Sequence, residues 1–164
     1  MIVVADSSPL IILAKVGCFD LINRLFPLLY ITPEVRSEVV VSGAGLPGAT
    51  EVANAPWIEV KQLENQAGLL AAQEKYSLGV GELSTILLGK EIPANVVLLD
   101  DYNARKLARS EGLLVRGSLG LLETLYLQGH VADLRAVFQL LLAHSYIEQR
   151  LLDVRLHALG LPHL

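Results

Sequence analysis

The chain has 164 residues, of which 52% are hydrophobic and 18% charged, and its formal net charge is −4. That length is one domain with room for a proper core, and the acidic balance argues against a nucleic-acid-binding surface overall while leaving room for a local basic patch. The mean hydropathy of +0.48 is high, yet no apolar stretch reaches the roughly 20 residues of a bilayer span, because Asp6, Lys15, Asp20 and Arg24 interrupt the N-terminal part.

The first predicted strand is the apolar run Ile2–Ala5, closed by Asp6. This opening has no basic n-region, and Asp6 would fall inside any h-region, so no signal peptide is expected. A helix follows over Pro9–Val16, and then Cys18, the single cysteine, beside Val16 and Phe19. One cysteine cannot form an internal disulfide, and no Cys/His cluster has zinc spacing, so a cytoplasmic setting and a buried Cys18 are expected. Leu28–Ile31 reads as the second strand and Thr32–Val40 as a helix, with Thr32 as N-cap, Pro33 at the first helical position and Glu34 in the first turn. Ser42–Ala49, rich in glycine and broken by Pro47, is a loop.

Trp57–Val60 is the third strand. Helices over Gln66–Tyr76 and Glu82–Leu88 flank Gly79 and Gly81, and strand Val96–Leu99 ends at Asp100–Asp101. The helix Asp101–Ser110 stops at Gly112, before the fifth strand, Leu113–Val115. From there the pattern is helical: Leu119–Leu127, Val131–Ala143 and Ile147–Leu159, the last opened by a capping-box spacing, Ser145…Glu148. Strands alternating with helices predict an α/β fold, a parallel sheet flanked by helices, with extra C-terminal helices over about 129–164. Val131, Leu134, Val137, Phe138, Leu140, Leu141 and Leu142 wrap past a single helical stripe, which predicts a homodimer.

The acids Asp6, Glu38, Glu82 and Asp100–Asp101 stand at strand ends and helix starts. In an open α/β sheet the carboxyl ends of the strands form the ligand crevice. Carboxylates gathered there repel one another and cost several kcal/mol to desolvate unless they are paired or bind metal, so the pattern points to a Mg²⁺ or Mn²⁺ site. Each acid also has a plainer reading. Asp6 could cap the first helix, although Ser7 and Ser8 could do so too. Glu34 suits a helix N-terminus, whereas Glu38, a turn later, lies too deep for that and is otherwise a solvated-face glutamate. Glu82 is a first-turn glutamate, made notable by the glycines before it. Of Asp100 and Asp101 one can cap, and the other needs another reason to be there. Arg105, Lys106, Arg109 and Arg116 are either helix-surface ion-pair partners or a basic rim for a phosphodiester backbone. His130, His144, His157 and His163 all lie far along the chain from the acids, which favours metal-assisted hydrolysis over histidine acid–base chemistry.

The order Asp…Glu…Glu…Asp-Asp on such a chain resembles a PIN-domain nuclease. The likeness rests on Val3-Val4-Ala5-Asp6-Ser7-Ser8-Pro9-Leu10-Ile11, Pro33-Glu34-Val35…Glu38-Val39 and Leu78-Gly79-Val80-Gly81-Glu82. It continues through Leu98-Leu99-Asp100-Asp101…Ala104-Arg105…Ala108 and Gly117-Ser118-Leu119-Gly120-Leu121-Leu122, nearly the whole chain. It is nearest to a prokaryotic PIN subfamily akin to VapC-type toxins. The resemblance implies a PIN-like three-layer fold and a Mg²⁺/Mn²⁺-dependent ribonuclease, with RNA and an antitoxin protein as partners. Carried over by position, Asp6, Glu38, Glu82 and Asp100 form the acidic quartet, with Asp101 a substitute for Asp100; Asp6, Glu82, Asp100 and Asp101 are then the expected metal ligands, and Arg105, Lys106, Arg109, Arg116 and Ser118 the expected nucleic-acid contacts. Glutamate at position 82, where many PIN proteins have aspartate, departs from the pattern.

The rival reading is a catalytically weak PIN-like module that binds RNA or protein. A Rossmann-type nucleotide-binding protein fits poorly, because Asp6-Ser7-Ser8-Pro9 fills the turn where a glycine-rich loop belongs. A phosphatase with an Asp-x-Asp pair fails at Ser8.

Overall fold

The structure is a computed structural model that describes residues 1–144 and 147–164. Five parallel strands, β1 (Val3–Ala5), β2 (Leu29–Ile31), β3 (Ile58–Val60), β4 (Val96–Leu98) and β5 (Val115–Arg116), form one sheet in the order β3-β2-β1-β4-β5. Each lies within two residues of its sequence expectation. The central strand β1 and its neighbour β4 are wholly buried. That burial is why they read as unbroken apolar runs and not as alternating patterns.

Alternation reappears in the packing. Val3, Ala5, Val96 and Leu98 join one core with the first and last helices, α1 (Ser7–Lys15), α8 (Ser118–Leu127), α9 (Leu134–His144) and α10 (Gln149–Ala158). Val4, Val97 and Leu99 face the other way, onto α5 (Gln66–Lys75), α6 (Val80–Glu91) and α7 (Tyr102–Ser110). The result is a three-layer α/β architecture with the C-terminal helices in one outer layer.

Local signals set several helix ends. Thr32 caps α3 (Pro33–Arg36), accepting from Val35 N at 3.1 Å. Gly112 follows α7 with φ +82°, a conformation that favours glycine. Asp133 accepts from Ala136 N at 3.0 Å, so α9 starts at Leu134 and not at Val131. The expected capping box of α10 involves Ser145, which lies outside the described residues. Two helical stretches were not expected from the sequence: the turn Phe19–Leu21 running into α2 (Ile22–Leu25), and α4 (Ala49–Asn54). Both are too short to show a period. Gly81 does not separate helices; it lies inside the first turn of α6. Beyond Arg36 the third helix continues as a wider π-helix over Ser37–Ser42, a form that often marks functional positions, and Glu38 is on it. No helix among the described residues is long and apolar enough to cross a membrane.

Candidate active site

The strand order reverses between β1 and β4, and at their carboxyl ends the chain leaves through Asp6 and through Asp100–Asp101. This is the switch-point crevice of an open α/β sheet. Asp6 N donates to Leu98 O at 3.0 Å, which ties the two strand ends together. The π-helical segment brings Glu38 to the same crevice, and α6 brings Glu82. Thr32 Oγ1 and Ser84 Oγ, 2.7 Å apart and buried, fasten the start of α3 to α6.

Asp6 occupies the N-cap position of α1 yet makes no capping bond. Its side chain is 2% exposed, and Ser7 Oγ, at 3.4 Å from Oδ1, is a distant donor. Burial pushes its pKa from 3.8 up to about 7; the Ser7 backbone bond opposes this, and repulsion from Glu38, Glu82 and Asp100 adds to it. Glu82 is also pushed up, first by burial and then by Asp101 and Glu38, against the Gly79 N–H that its Oε2 accepts at 3.0 Å. The four acids therefore share one electrostatic neighbourhood.

The other carboxylates are held by fixed donors. Glu38 accepts from Ser7 Oγ at 2.8 Å and from Gly81 N at 3.1 Å. A Cβ at residue 81 would lie 2.5 and 2.6 Å from the two Glu38 carboxylate oxygens, so only glycine admits this approach. Asp100 accepts from Ser118 N at 2.7 Å and from Ser118 Oγ at 2.6 Å. Asp101 is the α7 cap, accepting from Ala104 N at 2.8 Å.

Ser118, expected at the nucleic acid, is thus buried beneath Asp100 and orients it. From the sequence Ser7 is a candidate cap and Gly81 one of the glycines that make Glu82 notable; the structure uses both as donors to Glu38, with Gly81 in close approach to it. Arg105, Arg109, Arg116 and Ser118 line one cleft of 490 Å³ beside Asp100, whereas Lys106 lines a separate hollow with Tyr76 and Leu78.

The donor set suits a hard divalent cation. Asp6 is a buried carboxylate without a cationic partner: the ion pairs among the described residues, Lys90–Glu111 and Arg155–Glu123, involve none of these acids. As the side chains stand, no three His, Cys, Asp or Glu among the described residues converge tightly enough to enclose an ion. Among the described residues Asp6 meets only donors of its neighbour Ser7, a backbone bond and an Oγ at 3.4 Å, and so has the least to exchange for an ion.

Fold and site define an α/β protein with an acidic crevice at its sheet switch point. A family model described as PIN domain matches residues 2–160, and the chain belongs to that family. Among solved structures it is similar to a PilT N-terminus domain protein from the hyperthermophilic archaeon Sulfolobus solfataricus P2, at 17% identity and a TM-score of 0.52, over 76% of this chain and 92% of that one. At that identity the likeness supports the fold. No curated protein matches the chain significantly.

Proposed function

We propose that the protein is a Mg²⁺- or Mn²⁺-dependent endoribonuclease. The observation that carries this reading is Asp6: a carboxylate 2% exposed, spending no capping bond and repelled by three other acids. Such a group costs stability unless a cation or proton relieves it. Asp6, Glu82 and Asp100 would hold the ion, with Glu38 beside them. A bound cation supplies a water of lowered pKa and neutralises charge on the attacked phosphate. The chain's own contribution is orientation. Ser118 fixes both oxygens of Asp100, Ser7 and Gly81 fix those of Glu38, and Arg105, Arg109 and Arg116, which take no part in the ion pairs of the described residues, offer their charge to the phosphodiester backbone.

Purified protein should cleave single-stranded RNA with Mg²⁺ or Mn²⁺ and stop on EDTA. Failure to bind Mn²⁺ in a calorimetric titration would leave the non-catalytic module as the better reading. The proposal extends to a toxin role with an antitoxin partner, for which growth arrest on expression, relieved by Asp6→Asn, is the test. It also extends to a homodimer through α9, where Leu140 and Leu142 remain 43% and 38% exposed. A monomer mass in light scattering at micromolar concentration would exclude the dimer.

A further inference from the structure

The cleft beside Asp100 has two unlike walls. One is basic, formed by Arg105 and Arg109 of α7 and Arg116 of β5; the other is apolar, formed by Ile12 of α1 with Ile147 and Leu151 of the C-terminal layer. Leu151 is 47% exposed. Phosphate recognition accounts for the basic wall alone, since an anion gains nothing from leucine and isoleucine. A ligand that uses both walls carries an anionic group and a flat apolar body together. The cleft's 490 Å³ lies within the range of small-molecule sites.

Arg155 also lines this cleft, but it differs from the other arginines. Its Nε and Nη2 are both committed to Glu123. It is held in place and has fewer donors left for phosphate, and a fixed guanidinium plane is a surface on which bases stack.

We propose that this cleft is a nucleobase subsite of the nuclease. It seats one nucleotide of the RNA next to the scissile bond, with phosphate on Arg105, Arg109 and Arg116 and the base against Ile12, Ile147 and Leu151. The inference rests on the ribonuclease reading and adds that the C-terminal helix, not the acidic crevice, selects the flanking nucleotide. Among the described residues, Ile12, Ile147 and Leu151 offer the base an apolar surface and no hydrogen-bonding side chain, so selection by these three follows the size of the stacked surface, and purines bind better than pyrimidines.

The test is binding, which needs no cleavage. With Mg²⁺ present, adenosine 5′-monophosphate, uridine 5′-monophosphate and ribose 5-phosphate are titrated by calorimetry or NMR. Adenylate should bind on the order of tenfold more tightly than ribose 5-phosphate, with uridylate between them. Leu151→Ala should erase most of that ratio while leaving ribose 5-phosphate unchanged, and Arg109→Ala should weaken all three alike. A hexa-adenylate RNA should displace bound adenylate; if it does not, the site serves free nucleotides and the RNA subsite is wrong. Equal binding of adenylate and ribose 5-phosphate, or no binding of either, overturns the proposal. The two readings fail separately: RNA cleavage without base preference removes the subsite alone, and base-selective binding without cleavage removes the nuclease alone.

Discussion

The chain leaves β1 and β4 by the same device, an aspartate followed directly by a helix, and the two turns use it to opposite ends. After β4, Asp101 caps α7 through Ala104 N at 2.8 Å, and Asp100, freed from that task, is gripped by both donors of Ser118. After β1, Asp6 sits at the N-cap position without capping, buried and repelled, with its pKa raised to about 7. An aspartate at a helix start is therefore not self-explanatory. What separates the capping residue from the other two aspartates is whether its oxygen accepts from the first turn of the helix it precedes. The β4 turn divides the two tasks between neighbouring residues; the β1 turn leaves its single acid without a cap and with only the donors of Ser7.

The sharpest way to break this contrast is Asp6→Asn. On the ribonuclease reading the variant should lose more than about a hundredfold in cleavage, since even outer-shell partners of metal ligands are worth 10- to 100-fold. Without metal it should be more stable than the parent. Below pH 3.8 the folded and unfolded carboxyls are both protonated and no penalty arises. As pH rises the unfolded group ionises first, so stability falls until the folded group ionises near pH 7. Above that the penalty is constant, on the order of 4 kcal/mol. Thermal unfolding in EDTA should thus show a gain for Asp6→Asn at pH 8 that shrinks towards pH 4, and Mg²⁺ should stabilise the parent but not the variant at pH 8. A pH-independent difference between the two would contradict the burial and repulsion assigned to Asp6.

Gly81→Ala comes next. The added methyl would fall within 2.6 Å of the Glu38 carboxylate, so Glu38 must leave the Gly81 N–H and Ser7 Oγ. The replacement also removes a glycine from a helix, which by itself favours folding by up to about 1 kcal/mol. Activity and stability are therefore expected to part company, with cleavage falling on the order of tenfold or more while the unfolding midpoint holds or drops only modestly. Unchanged cleavage would show that Glu38 need not be held there. Ser118→Ala removes one of two donors to Asp100 and spares the backbone N–H, so its loss in cleavage should be smaller than that of Asp100→Asn. Equal losses would mean that Ser118 does more than orient Asp100.

Much of this arrangement was legible in the sequence, for identifiable reasons. The central strands are buried on both faces and so read as Val3–Ala5 and Val96–Leu98 without interruption; Thr32-Pro33 and Gly112 are local signals that act within one turn. The acids stood at strand ends, and the parallel order brings those ends together. What could not be read is what depends on partners distant in sequence. Ser7 meets Glu38 across 31 residues, Gly81 meets Glu38 across 43, and Arg155 meets Glu123 across 32. No local pattern encodes such pairs. The faces of α7, by contrast, follow from helical spacing: Arg105 and Arg109, one turn apart, share the cleft, while Lys106, one residue further round, does not.

The smallest effect expected tests the other half of the comparison, Asp101. If its role is the cap, Asp101→Ala should cost about 1 kcal/mol in stability, because Ala104 N loses its acceptor, and Asp101→Asn should cost nearly nothing, because asparagine caps as well as aspartate. The asparagine variant is the informative one, since it keeps the cap and deletes the charge. Its cleavage should fall less than that of Asp100→Asn, whose carboxylate is held towards the crevice. Its charge also contributes to the raised pKa of Glu82, so Glu82 should titrate lower in Asp101→Asn. A stable Asp101→Asn protein that has lost cleavage as fully as Asp100→Asn would make Asp101 a ligand despite its capping bond, and the division of labour at the β4 turn would fail.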